Sequence, residues 1–331
     1  MVRYPPTPEP VRIELEPTNA CNAKCIFCPR HKMIREIGYM NLDNLRRFLD
    51  ELLNYRANMW LNRHHYNKTF PRLVFCGLGE PLLHSRISEM VSEASIRGFE
   101  TEVVTNGSLL EPKVVSDLIR AGLDNLAISL HSINPEMYRS LTGLEIGDIL
   151  PKVQLTLQQL RNSDVTAEIW RVSGQSNTVP ENRISDDSDF SRFMDSHKEV
   201  KVLGPTPAWN RGGLLERTVW PLANDGNRIW CEKLYLTATI TWDGMAILCC
   251  CDYFKETVIL GNAWQEPFKI LQSRRNGVFR QTERPTICKV CRRPRESIFE
   301  KEVMRNAEKK VKHTTSQRKW EMQANEIHGH S

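Results

Sequence analysis

The sequence predicts an α/β fold: six strand–helix units forming an incomplete parallel barrel, followed by a small α+β region built on a β-hairpin. Apolar, period-two segments alternate with longer helical segments from residue 11 to about residue 213, the pattern of parallel strands joined by right-handed crossovers. Six such units suit a partial barrel better than a closed eight-fold one. Beyond about residue 226 two apolar runs flank Asp243-Gly244, a two-residue hairpin signal.

Taken in order, "VRIELEPT" (11–18) is the first strand, and a helix follows from about Leu42 to Tyr55 with Asn41 as its N-cap. "RLVFCGLGE" (72–80) precedes a helix at 86–97, and "FETEVVTNG" (99–107) a helix at 111–121 that Gly122 closes. "NLAISLHS" (125–132) leads into a segment ending near Leu160, and "VTAEIWRVS" (165–173) into "DSDFSRFMDSH". "KEVKVLGPTPAWNRGG" (198–213) is the sixth strand and its exit, while residues 56–71 read as an insertion without an assigned role. The expected division is 1–213 for the barrel, 214–300 for the hairpin region and 301–331 for a C-terminal extension.

At 331 residues, 40% hydrophobic and 26% charged, the chain has the composition of a globular protein. Residues 301–319 hold seven Lys/Arg against two Glu, so the formal net charge of +5 sits on the extension. That is a solvated tail or a docking surface for an acidic partner. The N-terminus "MVRYPPTPEP" has no apolar signal region, and no apolar run approaches 18 residues. A cytoplasmic location without membrane contact follows, where clustered cysteines serve metals or catalysis rather than disulfides.

Seven of the ten cysteines fall into two groups. Cys21, Cys25 and Cys28 form a C-x3-C-x2-C triad just past the first strand, where barrel enzymes place their chemistry. Thiolates so spaced select zinc, copper(I) or iron–sulfur clusters, and three leave one coordination position open for a substrate. Cys231, Cys249, Cys288 and Cys291 form a quartet in the second region, and four thiolates can close a site. Cys251 shares a strand face with Cys249 and could replace it. The quartet alone also suits structural zinc. Cys76 reads as packing.

"CNAKCIFC" (21–28), with Phe27 before the third cysteine, resembles the cluster loop of the radical S-adenosylmethionine (radical SAM) superfamily. The resemblance implies a partial TIM-like (β/α)6 barrel and a [4Fe–4S] cluster on Cys21, Cys25 and Cys28, whose fourth iron is bound by SAM. "CGLGEPLLH" (76–84) resembles the family's Gly-Gly-Glu-Pro motif for the SAM amino group: Gly79, Glu80 and Pro81 match, Leu78 replaces the first glycine, and Gly77 loosens the turn. Asn106 and Ser129, with Arg171, are the implied contacts to the SAM ribose and carboxylate.

Cys231, Gly244 and Cys249 with the Cys288/Cys291 pair resemble the SPASM/twitch extension. No cysteine follows Cys291, which favours the twitch form with one auxiliary [4Fe–4S] cluster ligated by Cys231, Cys249, Cys288 and Cys291. The implied reaction is reductive cleavage of SAM to a 5′-deoxyadenosyl radical that abstracts a substrate hydrogen, served by a flavodoxin- or ferredoxin-type electron donor. An auxiliary cluster as electron sink favours oxidation of a small molecule or peptide over redox-neutral epimerisation or rearrangement.

Expected proton handlers or substrate contacts are His131, Arg211, Asp252 and Tyr253, with Trp209 and Asn210 beside Arg211. No peptide-recognition domain precedes the barrel, so a leader-guided maturase would need a partner chain. An RNA-modifying enzyme has only the basic tail in its favour, with Trp320 as that tail's one aromatic. A non-catalytic electron carrier would need neither "GLGEP" nor an open iron.

Overall fold

The computed structural model describes residues 10–62, 71–173, 188–207, 236–253, 258–280 and 285–291. Strands β1 (Arg12–Leu15), β2 (Arg72–Phe75), β3 (Thr101–Thr105), β4 (Asn125–Ser129), β5 (Thr166–Ser173) and β6 (Lys201–Pro207) each pair in parallel with the next. The helices are α1 (Leu42–Asn62), α2 (Ile87–Ser95), α3 (Pro112–Arg120), α4 (Pro135–Thr142), α5 (Ile146–Leu160) and α6 (Ser188–Asp195). This is the expected partial barrel. Asn41 caps α1 by accepting from the Asp43 and Asn44 N–H groups at 2.9 and 3.1 Å, and Gly122 follows α3 with φ 80°. Residues 56–62 of the expected insertion prolong α1, and the segment before Leu160 is two helices rather than one.

Strand alternation builds two layers. Ile13, Leu15, Leu73, Phe75, Val103, Leu126, Ile128 and Ile169 are buried in one core cluster with residues of the helices. Their neighbours along the strands carry charge to the other face. Arg12 of β1 reaches Glu102 of β3 at 3.3 Å, with β2 between them. Adjacent strands lie about 4.8 Å apart, so such a pair can close only across the concave face. Arg72 also donates to Glu102, Thr239 donates to Glu14, and Trp170 donates to Glu168. The barrel interior is therefore floored by paired charges.

Strands β7 (Thr237–Ile240), β8 (Met245–Ile247) and β9 (Ile259–Asn262) form an antiparallel meander, followed by α7 (Phe268–Arg280) and α8 (Thr286–Val290). The hairpin at Asp243-Gly244 is as expected; its attachment is not. β7 pairs in parallel with β1, giving one nine-stranded sheet ordered β6-β5-β4-β3-β2-β1-β7-β8-β9. An incomplete barrel leaves the outer edge of β1 with unpaired N–H and C=O groups, and β7 satisfies them. The expected 301–331 extension lies outside the described residues.

Candidate metal centres

The first centre lies past the C-terminal ends of β1 and β2. Its loop is anchored on α4: the Lys24 and Ile26 N–H groups donate to the Thr142 and Leu141 carbonyls at 2.8 and 3.0 Å. These are carbonyls that a helix leaves without intrahelical partners. Gly143 ends α4 at φ 70°, where a Cβ would stand 3.2 Å from that of Lys24. The Cys28 N–H closes a turn on the Cys25 carbonyl at 3.0 Å, and Cys21, Cys25 and Cys28 are all half-buried. Burial pushes the Cys21 and Cys25 thiols up, Cys25 further with Cys28 and Cys21 beside it. Such thiols hold their protons until a metal's charge displaces them. As a donor set they fit an iron–sulfur cluster.

Phe27 fixes the loop from below. It packs on Leu141 and Met137 and meets the His131 ring edge-on at 4.7 Å. His131 is buried, and its Nδ1 accepts the Val172 N–H at 3.1 Å. Burial, with Arg171 nearby, lowers its pKa to about 4. Its ring is thus neutral at pH 7. Asn106 braces the loop from the β3 side: its amide donates to Asn22 Oδ1 at 2.9 Å, while its Oδ1 accepts the Ser108 N–H and hydroxyl.

The "GLGEP" loop is pressed against the cysteine loop, which explains its glycines. A Cβ on Gly79 would stand 2.1 Å from the Thr18 carbonyl oxygen and 2.5 Å from that of Ala20, both immovable backbone. The Glu80 N–H donates to the same Ala20 carbonyl at 2.8 Å. On Gly77 a Cβ would meet Glu16 at 2.7 Å. The Glu80 carboxylate is buried and accepts from Thr105 Oγ1 (2.7 Å), the Asn106 N–H (2.7 Å) and the Leu82 N–H (3.1 Å). Rather than presenting an open carboxylate to an ammonium group, it ties β2's loop to β3. Buried Pro81 opens the 3-10 turn that follows.

Ser129 ends β4, half-buried and in register with Trp170. Arg171 reaches the His131 carbonyl at 3.4 Å and also meets α6. Alternation along β5 sends Ile169 and Arg171 to the helix side, where the guanidinium lies 3.7 Å over the Phe190 ring of α6. Trp170 takes the inner face instead, beside Glu168 and Arg12.

In the second centre, Cys249, Cys251, Cys288 and Cys291 pack in one layer with Leu248, Ile287, Val258 and Val278. Contact with the Cys251 thiol, then burial, pushes Cys249 well up. Cys250 belongs to a different layer, with Leu78, Met33, Ile247 and Tyr253. Strand β8 ends at Ile247, so the expected strand face for Cys249 and Cys251 is instead a turn, closed by the Asp252 N–H on the Cys249 carbonyl at 2.8 Å. Buried Asp252 accepts the Val258 N–H at 2.9 Å, bracing that turn to the residue before β9. Tyr253 is buried, its hydroxyl without a hydrogen-bond partner among the described residues, and burial pushes its pKa well up. Cys231, Trp209, Asn210 and Arg211 lie outside the described residues.

A pair that sequence reading missed joins the two centres. Glu16, fully buried at the end of β1, receives both Nη atoms of Arg35 at 2.9 Å. It also accepts the Leu78 N–H of the "GLGEP" loop and the Trp242 N–H of the β7–β8 turn, at 3.2 and 3.3 Å. Arg35 Nε donates to the Tyr253 carbonyl at 3.0 Å, its guanidinium 5.9 Å from that ring. Glu16 continues the inward alternation of Arg12 and Glu14, the one signal the sequence offered; nothing in it named Arg35 as partner.

The structure is thus a partial barrel with a three-cysteine loop at its mouth and a second layer of thiols beyond β8. The profile of the Radical SAM superfamily matches residues 15–155, and that of the SPASM iron–sulfur cluster-binding domain matches 231–293. The chain carries a Radical SAM domain and a SPASM domain, which imply a SAM-binding [4Fe–4S] cluster and an auxiliary iron–sulfur cluster. Among curated proteins it is 32% identical over 119 residues to the tungsten-containing aldehyde ferredoxin oxidoreductase cofactor-modifying protein of Pyrococcus furiosus, covering 35% of this chain and 29% of that one. The chain spans well under half the length of the curated relatives it matches.

Two solved structures share the fold. BtrN in complex with AdoMet and 2-DOIA aligns with TM-score 0.56 at 18% identity, over 87% of this chain and 97% of that one. Streptococcus suis SuiB bound to precursor peptide SuiA aligns with TM-score 0.61 at 14% identity, over 86% and 71%. Among the described residues no helix is long and apolar enough to cross a membrane.

Proposed function

We propose that this enzyme cleaves SAM reductively and uses the resulting radical to oxidise a polar small molecule or a peptide, by dehydrogenation or bond formation. The observation that carries the reading is the second group of thiols, Cys249, Cys251, Cys288 and Cys291, joined to the SAM loop through Glu16, Arg35 and the Leu78–Tyr253 layer. When loaded, the first centre supplies a 5′-deoxyadenosyl radical and the second a place for an electron. Together they would supply the chemistry of a two-hydrogen oxidation, in which the substrate would lose one hydrogen as an atom and the other as a proton, with its electron accepted at the second centre.

The chain's own residues bind and orient. Cys21, Cys25 and Cys28 hold the first cluster; Gly79 lets the "GLGEP" backbone approach the cysteine loop, and Glu80 with Thr105 sets that backbone for the SAM amino group. Asn106 and Ser129 stand at the ends of β3 and β4, where the ribose would lie. Arg12, Glu14, Trp170 and Thr239 are partnered within the barrel interior and hold its strands together beneath the site. The working division is a SAM part at 1–213, an auxiliary part at 214–300 and the basic extension. A flavodoxin- or ferredoxin-type protein in the cytoplasm supplies the reducing electron.

Anaerobically reconstituted protein with SAM and dithionite is expected to release 5′-deoxyadenosine and methionine in equal amounts, and Cys25→Ala none. Offered aminocyclitols and peptides, it is expected to give a product lighter by two hydrogens. No 5′-deoxyadenosine from wild type would overturn the reading; a product of unchanged mass would replace oxidation with rearrangement or epimerisation.

A further inference from the structure

We propose that Tyr138 of α4 donates its hydroxyl to the sulfur of cluster-bound Cys25 and so raises the reduction potential of the first cluster. The inference rests on the reading that Cys25 ligates that cluster, and it names a side chain that tunes it.

Tyr138 is fully buried, and its hydroxyl has no hydrogen-bond partner among the described residues. The ring belongs to the apolar core, where phenylalanine would fill the same space with no polar atom to satisfy. A buried hydroxyl left unmet is costly, so its position asks which acceptor it serves.

The backbone brings Cys25 to this helix. The Lys24 and Ile26 N–H groups, on either side of Cys25, donate to the Thr142 and Leu141 carbonyls at 2.8 and 3.0 Å. Tyr138 stands one turn earlier on the same face of α4, and its own carbonyl accepts the Thr142 hydroxyl at 2.8 Å. Phe27 holds the loop on the Met137 and Leu141 side of the helix and offers no donor.

Burial pushes the Tyr138 pKa up, and Cys25, then Glu80, push it further the same way. Both are acceptors when charged. Glu80 is already engaged by Thr105 Oγ1, the Asn106 N–H and the Leu82 N–H, and Tyr138 is not among its donors. The Cys25 sulfur remains. A protonated thiol is a weak acceptor, whereas a thiolate that ligates a metal carries the charge that makes a hydrogen bond strong. Hydrogen bonds to the sulfurs are among the levers that set an iron–sulfur potential. Reduction adds negative charge there, so a donor favours the reduced state over the oxidised one.

The test compares the anaerobically reconstituted full chain with its Tyr138→Phe variant, which keeps the ring. The first cluster is identified by the reduced EPR signal that changes when SAM is added, and its midpoint potential is read by redox titration. In Tyr138→Phe the ratio of reduced to oxidised first cluster at a fixed potential should fall by about tenfold, which is about 59 mV for a one-electron couple. The signal that SAM leaves alone should keep its potential. After iron is stripped with a chelator, Tyr138→Phe should unfold at the same denaturant concentration as wild type or a higher one. An unchanged potential overturns the assignment, as does an equal shift of both signals. A loss of stability in the stripped variant overturns it too, by giving the hydroxyl a partner within the chain. If wild type has no SAM-responsive signal, the cluster reading itself falls, and the role of Tyr138 with it.

Discussion

The two thiol centres are built in opposite ways. Cys21, Cys25 and Cys28 lie within eight residues, on a loop whose supports, α4, "GLGEP" and Asn106, are presented by the barrel. The second centre gathers thiols from a turn and from a helix nearly forty residues later, held by Asp252 and by apolar packing. The first centre is a local motif placed on a rigid mouth; the second exists only once β7–β9, α7 and α8 have folded. Removing one cysteine from each should separate them most sharply. Cys25→Ala is expected to abolish SAM cleavage and lower reconstituted iron from about eight to about four per chain. Cys288→Ala should lose a similar amount of iron while still releasing 5′-deoxyadenosine from SAM. Equal loss of SAM cleavage in both would mean that the centres do not form independently.

Glu16 and Arg35 are where that independence should break down. Removing one partner of a buried pair leaves an uncompensated charge, at about 3–5 kcal/mol. Glu16→Gln should therefore lower the free energy of unfolding by that amount, read from denaturant titration. Because Glu16 holds both the Leu78 and Trp242 N–H groups, it should also weaken SAM binding and broaden the auxiliary EPR signal together. Glu16→Gln/Arg35→Met, which removes both charges, is expected to recover part of the stability. Disturbance of one centre alone would confine the pair to that centre.

How much was legible follows the same division. The six parallel strands, the Asn41 cap, the hairpin and the first centre were readable because each depends on short-range pattern: alternation, capping chemistry and cysteine spacing. Gly79 was matched as a motif residue, yet its physical reason, the approach of the Thr18 and Ala20 carbonyls, required the fold. The attachment of β7 to β1 was hidden because an open sheet edge leaves no mark on sequence. The contact of Arg171 with Phe190 of α6 could not be read from alternation alone, because the β5–β6 register shifts between Trp170 and Val172. His131 and Asp252 look catalytic by residue type, and their burial, with the Val172 and Val258 N–H groups on them, was not legible in the sequence.

His131 offers a pH test confined to the first centre. Its folded pKa of about 4 lies below the ordinary 6.5, so the unfolded chain binds a proton that the folded chain refuses. Stability from this group is complete above pH 6.5 and falls as the pH drops from 6.5 toward 4, by up to about 3 kcal/mol at about 1.4 kcal/mol per unit. His131→Gln should flatten that part of the stability–pH curve and, since Phe27 rests on the ring, alter the EPR of the first cluster but not the second. An unchanged slope would mean that the ring is open to solvent protons.

The smallest effect is expected at Tyr253, in the layer between the centres. Its hydroxyl is buried without a hydrogen-bond partner among the described residues, and an unmet buried polar group costs about 1–3 kcal/mol. Tyr253→Phe keeps the packing on Leu78, Ile247 and Cys250 and leaves the backbone carbonyl that Arg35 uses. It should therefore be neutral or slightly stabilising, by about 1 kcal/mol at most, with turnover unchanged. A loss of turnover with stability intact would give the hydroxyl a partner that arrives with the substrate, and would restore Tyr253 as a proton handler. A loss of stability would instead place its partner elsewhere in the folded chain.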